Sequence, residues 1–288
     1  MIVYKKSLWT LRGRGLPPRF LPRAQWRQWQ RSHEELAATF RQVIRVLQEA
    51  GIEFRLCYRA RLAPIRHAGV VISLGGDGTF LSASHSVRDI PLFGVNPDPS
   101  ASVGFYCCAS RDNFRARFRA FLRRELPIVP LTRLQARLNN RALPELILND
   151  ALMTNRNPAA TSRYLLRVQG REELQASSGL WVATPSGSTA AARAAGGFIL
   201  PLASRQFEFV VREPFVRGLR PVRLWRGRVP STARISVVSL MSAGMLYLDG
   251  PHVAYPFRWG DRVAFCAGAP LRAVGVRRAA MLAQEVVR

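Results

Sequence analysis

The stretch VISLGGDGT, residues 71–79, holds the chain's most reactive grouping: an apolar run that ends in Gly75, Gly76, Asp77, Gly78 and Thr79. At the carboxyl end of a buried strand, a glycine-rich turn lets backbone N–H groups approach a phosphate closely. A helix opening at Thr79 adds the positive end of its dipole. The acid does not serve that purpose, because a carboxylate repels phosphate. Asp77 suits a metal ion, or a hydroxyl whose proton it accepts while the oxygen attacks phosphorus. Asp-Gly is also a common turn former, so on spacing alone turn former and proton acceptor stand level. The loop is not Walker A, since no Lys-Ser/Thr follows, and it is not GxGxxG.

Other reactive side chains form no motif. His33, His67, His85 and His252 are scattered, and Cys57, Cys107, Cys108 and Cys266 include no CxxC pair and no zinc-like spacing. Unpaired cysteines fit a reduced, cytoplasmic protein. The formal net charge is +25, yet Lys5 and Lys6 are the only lysines among 43 basic residues, and the arginines are spread along the whole chain. That reads as compositional bias, with no dedicated nucleic-acid surface. The positive field still gathers phosphorylated ligands. No run of eighteen apolar residues marks a membrane span, and the start lacks the apolar core of a signal peptide.

The 288 residues, 48% hydrophobic, suffice for two domains. MIVY reads as a strand. Residues 10–30, rich in Arg and Pro, read as a surface arm. Ser32–Glu35 fits a capping box for a helix ending at Gly51. Ile52, Phe54 and Leu56 alternate like a strand, and 69–74 and 90–95 read as strands buried on both faces. Ser110 is positioned to cap a helix that Pro127 stops. Strand and helix alternation predicts a Rossmann-like parallel α/β domain over 1–126. Short β-rich segments then predict a β-sandwich-like domain over 127–266. Residues 267–288 form a C-terminal segment positioned to pack back on the first domain, and the final residues, including MLAQEVVR, read as helical in character. A ligand in the interdomain cleft would meet the loop at 75–79.

Three further stretches sharpen the loop's meaning: GVNPDPSASVGFYC (94–107), LNDALMTNRNPAATSRYLLRV (148–168) and SSGLWVATPSGSTAAARAAGGFILP (177–201). With GGDGT, their order and spacing resemble the NAD kinase family. MIVYKK, SHEEL, SSGL and VREPF are similar to the subgroup of NADH kinases and mitochondrial-type NAD kinases. The resemblance implies phosphorylation of the 2′-hydroxyl of the adenosine ribose of NAD or NADH, with ATP as donor and a divalent metal, Mg²⁺, as cofactor. It implies Asp77 as general base and Gly75, Gly76, Gly78 and Thr79 as phosphate holders. The dinucleotide would meet Asp77, Gly78, Phe105, Tyr106, Asn149, Asp150, Ser178, Ser186, Thr189, Ala190, Ala194 and Asp249. It also implies a homodimer or homotetramer. A lipid kinase of the diacylglycerol type, and a non-catalytic dinucleotide-binding regulator, are the alternatives.

The chain departs from the commoner bacterial pattern of that family. Ser178-Gly179-Leu180 stands for Asp-Gly-Leu, Thr189-Ala190-Ala191 for Thr-Ala-Tyr, and Ala194 for a small Ser. A neutral Ser178 withdraws a negative charge that cationic nicotinamide would welcome, an expectation that tilts the enzyme toward NADH.

Overall fold

The structure, a computed structural model, describes residues 1–12, 18, 20–215 and 222–276. These divide into two compact units: Met1–Pro130 with 271–276, and Leu131–Pro270. The helix expected at MLAQEVVR, and positions 13–17 and 19 of the expected arm, lie outside the described residues.

The first unit contains β1 (Ile2–Tyr4), α1 (Leu8–Arg12), α2 (Arg23–Glu49), β2 (Leu56–Tyr58), β3 (Val71–Leu74), α3 (Asp77–Ser86), β4 (Leu92–Asn96), β5 (Cys107–Ser110) and α4 (Phe114–Leu122). Its strands pair in parallel in the order β2-β1-β3-β4, with β5 also on β4. All four residues of β3 and all five of β4 are buried, as unbroken apolar runs with helices on both faces require. Phe93 is ringed edge-on by Phe114, Phe118 and Phe121 at 5.8–5.9 Å.

Local reading failed at three points. The arm expected over 10–30 is helical in part, because α2 begins at Arg23. Trp26 turns inward against Trp9 at 4.7 Å. Burial of that indole outweighs an arginine-rich composition. Ser32 is therefore mid-helix and caps nothing; its hydroxyl donates to Asp98 Oδ2 at 2.6 Å. Ser110 ends β5; Asn113 precedes α4 without a side-chain cap, its Oδ1 accepting the Ser110 N–H at 2.9 Å, and α4 stops at Leu122, before Pro127. Residues 52–55 are not strand; pairing on β1 begins at Leu56.

The second unit begins within β6 (Ile128–Leu138). It continues through β7 (Arg141–Ile147), β8 (Asp150–Asn155), β9 (Ser162–Val168), β10 (Arg171–Ser177), β11 (Gly179–Ala183), α5 (Ala191–Ala194), β12 (Gln206–Arg212) and β13 (Arg226–Pro230). It closes with β14 (Ile235–Ser239), β15 (Gly244–Leu248), β16 (Val253–Pro256) and β17 (Arg262–Val274). One antiparallel sheet runs β13-β12-β11-β8-β15-β16. A second layer pairs β10-β9-β14-β17 antiparallel. Tyr164, Leu166, Val237 and Phe265 from one layer meet Met153, Val182, Phe209 and Leu246 from the other in a single buried core. Inward and outward residues alternate along β9 and β14, the period a half-buried sheet demands. Leu148–Asn149 break the chain between β7 and β8, and that break matters for the site.

Candidate active site

Leu74 ends β3, and Gly75 turns the chain with φ +155. A Cβ at Gly75 would sit 2.3 Å from Thr79 Oγ1, and one at Gly76 would sit 2.9 Å from Ser102 Oγ. Gly75 requires glycine for lack of space, whereas at Gly76 the Ser102 hydroxyl would have to turn aside. Asp77 is the first residue of α3, half-buried, and its Oδ1 accepts the Tyr106 N–H at 3.1 Å. The acid is thereby fixed at a helix N-terminus. Gly78 is exposed. Thr79 is 1% exposed, and its Oγ1 has no hydrogen-bond partner. A buried hydroxyl without a partner costs about 1–3 kcal/mol.

The segment 94–107 buttresses this loop. Asn96 donates from Nδ2 to Ser102 O at 2.9 Å, and the Ser102 hydroxyl donates back to Asn96 Oδ1 at 3.1 Å. Gly104, at φ +61, leaves no room for a side chain beside Asn96 Nδ2. Tyr106 is 2% exposed, and its ring stacks on Phe80 at 4.9 Å. It therefore serves the loop through its backbone. Phe105 is half-exposed and stands edge-on to Tyr106 at 5.0 Å. The Cys107 thiol donates to Gly75 O at 3.5 Å, and burial pushes its pKa up, so it is a packed thiol.

The second unit assembles the other residues around the break between β7 and β8. The Asp249 carboxylate accepts three backbone N–H groups: Leu148 at 2.8 Å, Asn149 at 2.6 Å and Asp150 at 3.0 Å. Thr184 closes the same corner, with its N–H donating to Asn149 O at 2.9 Å and its hydroxyl to Leu148 O. A Cβ at Gly187 would meet Asn149 O at 2.1 Å, so the Thr184–Thr189 turn lies directly on the Asn149 backbone. Ser186 is 4% exposed and its Oγ has no partner. Thr189 is half-buried, while Ala190 and Ala194 are exposed. Asp249 thus shapes the corner, whereas Asn149, Asp150 and Ser186 carry the polar groups it presents.

Burial, with Asp249 alongside, pushes the Asp150 carboxyl up to about 7 from an ordinary 3.8. The folded state then holds a proton that the unfolded chain has released. The acid's contribution to stability is complete below about pH 4 and is lost as pH rises through 7, a penalty of at most about 4 kcal/mol at pH 8. Asp150→Asn should therefore gain several kcal/mol over the native protein at pH 8 and nothing at pH 4. Urea unfolding at the two pH values measures this, and parallel curves would contradict it. Burial also pushes Glu208 up to about 7, but that slope is common to both proteins and cancels in the difference.

Ser178 differs from the sequence expectation in its consequence. Its hydroxyl donates to the Glu213 carboxylate. Glu213, inside VREPF, adopts φ +47 to reach it. The negative charge that a neutral Ser178 withdraws is returned by another residue, which removes the charge argument for NADH. Glu213 carried no local signal, because its role depends on β11 and β12 pairing Gly179 with Arg212. Beneath the turn, Tyr164 shares its hydroxyl with Ser177 Oγ at 3.0 Å and donates to Gly179 O at 3.3 Å.

Comparison with known proteins fits this layout. The family model for the ATP-NAD kinase N-terminal domain matches residues 63–126. A probable NADH kinase from Oryza sativa subsp. japonica is 35% identical over 249 residues, 78% of this chain and 77% of that protein. The chain belongs to the NAD kinase family. An NADH kinase from Arabidopsis thaliana is 32% identical, with 78% of each chain covered. Two solved structures share the NAD kinase fold. The NAD kinase from Archaeoglobus fulgidus in complex with ATP aligns with TM-score 0.69 at 23% identity, over 84% of this chain and 90% of that one. Yeast NADH kinase complexed with NADH aligns at 0.73 and 16% identity, over 99% and 86%.

Proposed function

We infer that this member of the NAD kinase family transfers the terminal phosphate of ATP to the 2′-hydroxyl of the adenosine ribose of NAD or NADH. The observation that carries the reading is Asp77, a carboxylate pinned by the Tyr106 amide at the mouth of a glycine turn. In this reading Asp77 accepts the 2′-hydroxyl proton. A carboxylate is a weak base toward an alcohol, so holding the hydroxyl in line with phosphorus contributes more than basicity. Gly75, Gly76, Gly78 and Thr79 receive the donor phosphates on backbone N–H groups and the Thr79 hydroxyl.

In the second unit, Asn149 offers an amide to the adenine edge and Asp150 a carboxyl to ribose hydroxyls. Near pH 7 a substantial fraction of Asp150 is protonated, so it donates as well as accepts. Ser186, Thr189, Ala190 and Ala194 give the dinucleotide a small-residue surface, and Ser178 with Glu213 bears on the nicotinamide half. Both redox forms are therefore proposed as substrates.

Among the described residues, no three His, Cys, Asp or Glu side chains cluster to hold a metal ion. Mg²⁺ fits nonetheless, because it is commonly bound through one or two carboxylates and substrate phosphates, and Asp77 is the carboxylate beside the phosphate loop. When bound, it neutralises charge on the donor phosphates. The four free cysteines fit a cytoplasmic setting, and a homodimer or homotetramer follows the family. Among the described residues no helix is long and apolar enough to cross a membrane.

Steady-state assays of the purified protein with ATP and, separately, NAD, NADH and diacylglycerol test the reading. Turnover of NAD and NADH, with none of the lipid, is the expected result. Lipid phosphorylation, or tight dinucleotide binding with no turnover, would replace it with one of the two alternatives.

A further inference from the structure

The parallel registers of the first unit bring three chain segments to one level at the carboxyl edge of its sheet. Tyr4 pairs with Leu74 of β3 on one side and with Tyr58 of β2 on the other. The next residue along each strand is Lys5, Gly75 and Arg59 respectively. Lys5 therefore stands between the start of the glycine turn and Arg59, which opens the 3-10 turn Arg59–Arg61. Ligands of open parallel sheets bind along this edge. The Arg59 guanidinium reaches the loop itself: its Nη1 lies 3.6 Å from where a Cβ on Gly78 would be.

Both side chains are half-buried. Among the described residues, neither forms a hydrogen bond or an ion pair. Lys6, the next residue, lies over the Tyr58 ring at 5.0 Å. Asp98 acts on Lys5 through its charge alone; its carboxylate accepts the Ser32 and Ser100 hydroxyls, each at 2.6 Å, and the Ala101 N–H at 3.2 Å. Burial, and then Arg59 alongside, lower the pKa of the Lys5 ammonium. Two adjacent, partly desolvated cations without a counter-ion are costly unless an anion joins them. The buried, unpartnered Thr79 Oγ1 in the same loop is an independent sign of a missing ligand.

We propose that Lys5 and Arg59 bind the polyphosphate chain of the phosphoryl donor, closing over the 75–79 loop from the side opposite Asp77's amide anchor. The proposal rests on the kinase reading and adds to it two binding residues from outside the glycine motif. Arg59 offers a fork to two phosphate oxygens and Lys5 a point charge. The pair also holds donor charge away from Asp77, whose carboxylate would otherwise repel it.

Inorganic tripolyphosphate, which lacks a nucleoside, isolates this interaction. Calorimetric titration of the whole protein should show its affinity falling about tenfold or more in Lys5→Met and in Arg59→Gln, since a charge-assisted hydrogen bond is lost in each. KM for ATP should rise in step, while NADH affinity stays within about twofold. Lys5→Arg should keep most of the tripolyphosphate affinity. Should Lys5→Met fail to fold, Arg59→Gln carries the test alone. Unchanged tripolyphosphate affinity and ATP KM in Arg59→Gln would overturn the proposal, as would an equal loss of NADH binding. A wild-type protein that binds tripolyphosphate through these residues yet transfers no phosphate would sink the kinase reading and leave this site standing.

Discussion

Asp77→Asn lowers kcat by about two to four orders of magnitude, the range expected when a positioned proton acceptor is lost. The substitution is nearly isosteric, and Asn Oδ1 can still accept the Tyr106 N–H that holds Asp77 at 3.1 Å. The loop conformation therefore persists and NADH binds with nearly native affinity. Stability changes little, since the side chain is half-buried and, among the described residues, forms no ion pair. Single-turnover kinetics with saturating ATP and NADH, beside equilibrium binding of NADH, separate the two effects. A kcat within tenfold of the native value would remove Asp77 from the chemistry and return it to the role of turn former.

Asp249→Ala has the largest expected effect on the second unit. Three backbone N–H groups, of Leu148, Asn149 and Asp150, lose their acceptor together. Leu148 and Asp150 are buried, so water cannot fully replace the carboxylate. An orphaned buried donor costs about 1–3 kcal/mol, and the combined loss should be about 3–5 kcal/mol. Part of it is offset, because Asp150 no longer faces a neighbouring charge. Function falls further than stability. The corner that aims Asn149 and Asp150 relaxes, and NADH affinity should drop at least about tenfold even where the protein remains folded. Denaturant unfolding and NADH titration measure the two losses. Native stability in Asp249→Ala would show that the three amides find other partners.

The parts of this molecule legible in its sequence are those with short-range causes. GVVISL and PLFGV read as strands buried on both faces, as they are, and GGDGT as a glycine turn. The 27-residue α2 was misread at its start because its arginines conceal Trp26, which turns inward onto Trp9 from a distant segment. Of the proposed site residues, Asp77, Asn149, Asp150 and Ser186 were named by the resemblance to the NAD kinase family. Glu213, Lys5 and Arg59 were not, because each reaches its place through strand pairing. Glu213 meets Ser178 only once β11 lies on β12, and Lys5 meets Gly75 only through the β1–β3 register. Tyr106 shows the opposite error. Its aromatic ring invited a role against adenine, yet it is enclosed against Phe80 and contributes its amide.

The claim that Asp77 serves the adenosine 2′-hydroxyl is tested most directly by locating the transferred phosphate. Phosphorus NMR of the product formed from ATP and NADH should show one new phosphomonoester on the 2′-oxygen of the adenosine ribose, formed in equal amount with ADP. Phosphate on the 3′-oxygen or on another acceptor, or ADP released without any phosphomonoester, would contradict the account.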